Sequence, residues 1–223
     1  MKRENRKRLC LGMCLLAAFA LWTAAVRVVD VRPIGPQGSS VGFAAVNGFV
    51  HRLTGVNMTL YTVTDWLGLI PICVAAGFAL LGLGQWIGRK SLFRVERSLL
   101  ALGGFYLAVM AAFVFFEMYV VNYRPVCIEG RLEASYPSST TMLVMCVMPT
   151  AAMQLNARMK SGVARRCAVW AAYVFMTFMV IGRLISGVHW LTDIIGGALL
   201  SAGVVAVYVS VSGLEQKAGQ MRK

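Results

Sequence analysis

Six long apolar runs separated by short polar breaks organise the 223-residue chain, at approximately 9–29, 64–86, 99–121, 140–155, 167–185 and 194–212. A helix rises 1.5 Å per residue, so crossing a ~30 Å hydrocarbon layer takes ~20 apolar residues. Most of these runs meet that length. They predict an all-α fold, a single membrane-embedded domain built as a six-helix bundle, without linkers, repeats or low-complexity tracts. The run at 140–155 is the shortest and holds Pro149, which predicts a kinked helix supported by its neighbours. Between the first two runs, VRPIGPQGSS has the Pro, Gly and Ser of a loop. The following stretch, 41–55, sets Val41, Ala44, Ala45, Phe49 and Leu53 at helical spacing, the pattern of a short helix lying at the membrane interface. Its polar members are Asn47, His51 and Arg52.

The net charge of +13 gains meaning from its distribution. The N-terminus, the 89–97 and 158–166 segments and the C-terminus alternate with pairs of spans. Together they hold 16 of the 22 basic residues and three acids, so they account for the whole excess. The other face balances six Arg against six acids. Positive charge concentrated on one side is the signature of membrane orientation, which removes the reason to invoke nucleic acid. Both termini are therefore expected in the cytoplasm. The opening MKRENRKR resembles the start of a signal peptide, but its apolar run is longer than the 7–15 residues of a typical signal core. It is expected to remain as the first helix. Of the six cysteines, only Cys127 falls in an outer loop, and no CxxC spacing suggests a metal site. No metal and no cofactor are expected.

Polar residues of the outer face come from three places, around 47–57, 122–140 and 182–193. In the last, GRLISGVHWLTDIIGG, an Arg, a His and an Asp fall within eleven positions between two apolar runs. His189 and Asp193 are four apart and on a helix would share a face, where the carboxylate could orient the imidazole. Arg183 stands six residues upstream and Arg124 in the second outer segment. Two guanidiniums facing one site would grip a phosphate through paired bonds. Tyr136-Pro137-Ser138-Ser139-Thr140 opens the fourth run, and a helix N-terminus presents N–H groups to an anion. Singly, each of these features is ordinary capping or snorkelling. Jointly they point to phosphoryl chemistry.

The same residues resemble the type-2 phosphatidic acid phosphatase superfamily, whose soluble relatives include vanadium haloperoxidases. Its signature reads Lys-x6-Arg-Pro, then Pro-Ser-Gly-His, then Ser-Arg-x5-His-x3-Asp. Arg124-Pro125 matches the end of the first part, Pro137-Ser138 opens the second, and Arg183-x5-His189-x3-Asp193 matches the third. The resemblance implies that His189 is a nucleophile forming a phosphohistidine, with Asp193 orienting it. It implies that Arg124, Arg183, Ser138 and the neighbouring Ser139 and Thr140 cradle the phosphoryl oxygens. Three departures stand out. Glu117 occupies the place of the family's Lys, Ser139-Thr140 that of Gly-His, and Gly182 that of Ser. The second histidine, which protonates the leaving group in the family, is therefore missing, and such help is worth ~10²–10⁴-fold.

Three consequences are open at this point. A lipid pyrophosphate such as undecaprenyl pyrophosphate would need less protonation of its leaving group. His51 or a protonated Glu117 could substitute, although Glu117 could instead pair with Arg124. Or activity is lost and the chain only binds phosphorylated lipids. The expected function is metal-independent hydrolysis of a lipid phosphate or pyrophosphate at the outer face of a bacterial plasma membrane. The competing reading is a catalytically weakened lipid-phosphate-binding protein of the same fold. A transporter is weaker still, since no paired broken helices or duplicated halves appear.

Overall fold

The computed structural model describes residues 3–160 and 162–212. Lys2, Glu215, Lys217, Arg222 and Lys223, all counted in the charge pattern, lie outside the described residues. Among the described residues, eight α-helices follow one another: α1 Arg3–Val28, α2 Ala44–Thr54, α3 Met58–Leu67, α4 Leu69–Arg89, α5 Arg97–Met118, α6 Ser139–Arg158, α7 Val163–Ile185 and α8 Leu191–Ser212. Among the described residues there is no strand, only isolated backbone bridges.

Among the described residues, five helical stretches are long and apolar enough to cross a membrane: α1, α3 with α4, α5, α7 and α8. The run expected from residue 64 in fact begins at Met58, where Asn57 caps α3 by accepting from Leu60 N–H at 2.9 Å. The α3–α4 break falls just before Pro71, which has no N–H to offer the carbonyl of Leu67.

The sixth expected span, α6, is a helix of the bundle but is not among those five. Thr140, Thr141, Thr150, Gln154 and Asn156 interrupt its apolar run, and much of its surface is buried by protein. Two of its polar side chains are met there. Gln154 donates to Tyr208 Oη at 2.8 Å and to the Ser98 carbonyl at 3.2 Å, while Thr150 bonds back to the Cys146 carbonyl. Pro149 is accommodated within the helix.

The core forms where α8 is flanked by α1, α5 and α6, with α7 against the other side of α6. Phe19, Leu102, Phe105, Met142, Leu200 and Tyr208 fill the first interface. Val144, Met148, Ala172 and Met179 fill the second. At the basic end, Glu96 joins Arg158 at 2.8 Å and Gln85 at 3.2 Å, tying together α4, α5 and α6. At the opposite end lies the expected interfacial helix, α2. Phe49 and Leu53 are exposed on it, while buried Asn47 holds it to α8 through Thr192.

Candidate active site

The segment between α5 and α6 doubles back on itself. Arg124 N–H donates to the Glu133 carbonyl at 3.0 Å, Ser135 N–H donates to the Asn122 carbonyl at 2.9 Å, and Tyr123 bridges Ala134. Extended backbone sends alternate side chains to opposite faces. Asn122, Arg124, Glu133 and Ser135 consequently share one face, and it is the face that meets the start of α8.

His189 is buried there, in the loop before α8 rather than on the helix. The expectation that it shares a helical face with Asp193 is corrected accordingly. Asp193, in the first turn, accepts from Trp190 N–H at 2.9 Å as an N-terminal helix acid does. Its carboxylate lies 3.7 Å from His189 Nδ1, beyond hydrogen-bond range. Ser135 fills the gap: its hydroxyl donates to Asp193 Oδ2 and lies 3.1 Å from Nδ1. A hydroxyl has one proton to give. Given to the carboxylate, it leaves Ser135 Oγ to accept from Nδ1–H, and that assigns the neutral tautomer with a free lone pair on Nε2. Arg124 Nη1 stands 3.2 Å from Nε2. Burial pushes the imidazole down to about 4, against the opposing pull of Asp193 and with Arg124 adding to the burial effect. The ring is therefore held neutral. Asn122 donates to the second Asp193 oxygen at 3.3 Å.

Arg183, fully buried at the end of α7, forms a second cluster. Its Nη2 donates to Thr140 Oγ1 at 2.6 Å and to Asp65 Oδ1 at 2.9 Å. Its Nη1 reaches Thr64 Oγ1 and the Tyr61 carbonyl, both at 3.4 Å, and its guanidinium lies 4.8 Å from the Tyr61 ring centre. Each arginine thus has a carboxylate, Glu133 for Arg124 at 3.1 Å and Asp65 for Arg183. Even so, the Nε of both is buried without an aligned acceptor, and in Arg124 the contact with Glu133 is close but poorly directed. Buried donors without acceptors are costly and uncommon.

The α6 N-terminus joins the two clusters. Ser138 N–H donates to the Asp193 carbonyl at 3.1 Å, and the Ser138 hydroxyl is the α6 cap, accepting from Thr141 N–H at 3.5 Å. Ser139 lines a narrow cleft together with His189, Ser135, Phe113, Phe116 and Glu117. Glu117 is therefore at the cleft mouth, and Glu133 takes the place beside Arg124 that Glu117 was offered. His51 is not brought to His189. Its ring lies 5.4 Å from that of Trp190, and with Arg32 and Arg52 it lines a separate cavity of about 480 Å³. Burial lowers its pKa.

Four residues of the site escaped sequence reading: Ser135, Asn122, Glu133 and Asp65. The first three arrive through pairing across the 119–138 turn, which no short motif encodes. Asp65 did leave a signal. An acid within an apolar helix is expensive and functional by default.

No curated protein matches the chain. Among solved structures, a transmembrane PAP2-type phosphatidylglycerolphosphate phosphatase from Bacillus subtilis superposes with a TM-score of 0.59. The match covers 92% of this chain and 96% of that one at 19% identity, a likeness of fold. The sequence profile of the PAP2 superfamily matches residues 73–216, a stretch that takes in Arg124, Ser138, Arg183, His189 and Asp193 but not Asp65. With five apolar helices of membrane-crossing length and a profile match over well more than half its length, this chain is an integral membrane protein belonging to the PAP2 superfamily.

Proposed function

We propose that this protein hydrolyses a phosphorylated lipid through a phosphohistidine on His189. The observation that carries the reading is the chain from Asp193 through Ser135 to His189, which assigns the tautomer. Nδ1–H is committed to Ser135, itself held by Asp193, so the Nε2 lone pair faces the Arg124 guanidinium. A phosphate arriving at Arg124 would draw the guanidinium off Nε2 and put phosphorus before the lone pair. Nε2 attacks, the bond from phosphorus to the leaving oxygen breaks, and the imidazole becomes cationic. Ser135 and Asp193 then face that new charge, which is how preorganised acceptors lower a barrier. The phosphoryl oxygens would satisfy the orphaned Nε groups of Arg124 and Arg183, displacing half-exposed Glu133. Phosphoryl transfer asks a protein chiefly for such positioning and charge balance.

The Thr140 hydroxyl is too weak an acid to protonate a departing alkoxide near neutral pH, so a substrate that leaves as phosphate suits the site better. Lipid pyrophosphates, undecaprenyl pyrophosphate among them, are preferred to monoesters on that ground. The charge pattern supports a topology with both termini cytoplasmic, six spans and the site facing outward, in a bacterial plasma membrane. A catalytically weakened protein that holds lipid phosphates remains the second reading, favoured by Thr140 where the family carries histidine. Phosphate release from lysophosphatidate, phosphatidate and undecaprenyl pyrophosphate by detergent-purified protein separates the two. The hydrolase reading expects release that His189→Ala abolishes, fastest from the pyrophosphate. Retained lipid binding with no release from any of the three would leave the binding reading.

A further inference from the structure

Asp65 and Thr140 share one nitrogen of Arg183, and that juxtaposition has chemical content. Thr140 stands where the family carries its second histidine. Asp65 comes to this point from α3, outside the stretch that the superfamily profile matches. Its side chain is 56% exposed while that of Arg183 is 2% exposed, so one end of the ion pair is fixed in protein and the other is open to water.

We infer that Asp65 is the general base that activates the water hydrolysing the phosphohistidine. The inference rests on the hydrolase reading above. After the first half-reaction the phosphoryl group would lie against Arg183, and the same guanidinium would hold the Asp65 carboxylate beside the incoming water. The water oxygen forms the new bond to phosphorus, one of its protons passes to the Asp65 carboxylate, and the phosphorus–Nε2 bond breaks with its electron pair returning to His189. Inorganic phosphate leaves, and Asp65 returns its proton to solvent through its exposed side. A carboxylate already serving as an anion can take a proton but has none to give. The two half-reactions are therefore unequal: leaving-group departure is unassisted and water attack is assisted. This asymmetry selects phosphoanhydrides, whose leaving group needs no acid, as the substrate class.

The test follows farnesyl pyrophosphate carrying ³²P on its terminal phosphate, in detergent micelles with alkaline quench. In Asp65→Asn, one equivalent of farnesyl phosphate should appear in a burst, followed by steady turnover slowed ~10²-fold, the low end of general-base help. Alkali-stable, acid-labile label should accumulate on the protein. Adding Thr140→His to that variant should restore turnover at least ~10-fold and clear the label, while Asp65→Glu, which keeps a carboxylate, should not accumulate it. Unchanged turnover in Asp65→Asn would overturn the inference alone. So would loss of burst and turnover together without label, the pattern of a residue that only places Arg183. If the wild type shows neither turnover nor transient label, the hydrolase reading falls and takes the inference with it.

Discussion

Ser135 has a single proton, and its destination decides what His189 can do. With that proton on Asp193, the imidazole must donate through Nδ1 and keep Nε2 bare. Ser135→Ala removes the bridge and leaves a carboxylate 3.7 Å away, too far to hold the ring by itself. We expect kcat for lipid pyrophosphate hydrolysis to fall about 100-fold, the low end of acid–base help, with KM little changed and Ser135→Thr keeping most activity. The same assay carries a pH signature. Burial lowers the His189 pKa from its ordinary 6.5 to about 4, so folding favours the neutral ring. The stability this contributes is complete above pH 6.5 and drains away as pH falls toward 4, and the nucleophile stays available over that window. After correction for substrate ionisation, kcat/KM should hold level from pH 7 to 5, and an acid limb centred near 6.5 would contradict the assignment. Arg183, His189 and Asp193 could be read from the chain because their spacing is fixed over a few residues. Ser135 could not, since it meets His189 from 54 positions away through a turn whose register is set only on folding.

Among the elements, the loop from α7 to α8 is the tightest piece of the site. Gly187 adopts φ +67°, and a Cβ there would lie 1.8 Å from the Gly55 carbonyl oxygen. Beside it, the Ser186 carbonyl accepts from Asn57 N–H at 3.0 Å, so the chain leading into α3 is pressed against the loop that carries His189. Gly130, at the tip of the 119–138 turn, has a similar φ of +76° but open space around it. Gly187→Ala should therefore lower the thermal midpoint in detergent well beyond Gly130→Ala, which bears only the backbone strain of about 1 kcal/mol. Equal shifts would show that the close approach is unimportant. The apolar periodicity predicted α2 and the long helices with ends displaced by a few residues. It did not predict that α3 and α4 part before Pro71, although the proline itself was a legible signal.

At the scale of the whole molecule, charge balance and helix burial answer different questions. The charge pattern orients the chain, but it says nothing about which helix faces lipid. Burial does, and it sets α6 apart, for Thr150 meets Tyr106 of α5 and Gln154 meets Ser98 of α5 and Tyr208 of α8. During biogenesis those partners are made at different times, α5 before α6 and α8 after it. A translocon that sorts segments by their own apolarity would find α6 a poor candidate for release into lipid until α7 follows it. Membrane entry of α6 and α7 should thus be a joint, delayed event. A chain stopped after Lys160 and fused to alkaline phosphatase should report an external fusion point, whereas an internal fusion point would show that α6 enters alone. On this account the residues that assemble the site's α6 wall also dictate the order in which the membrane receives the chain.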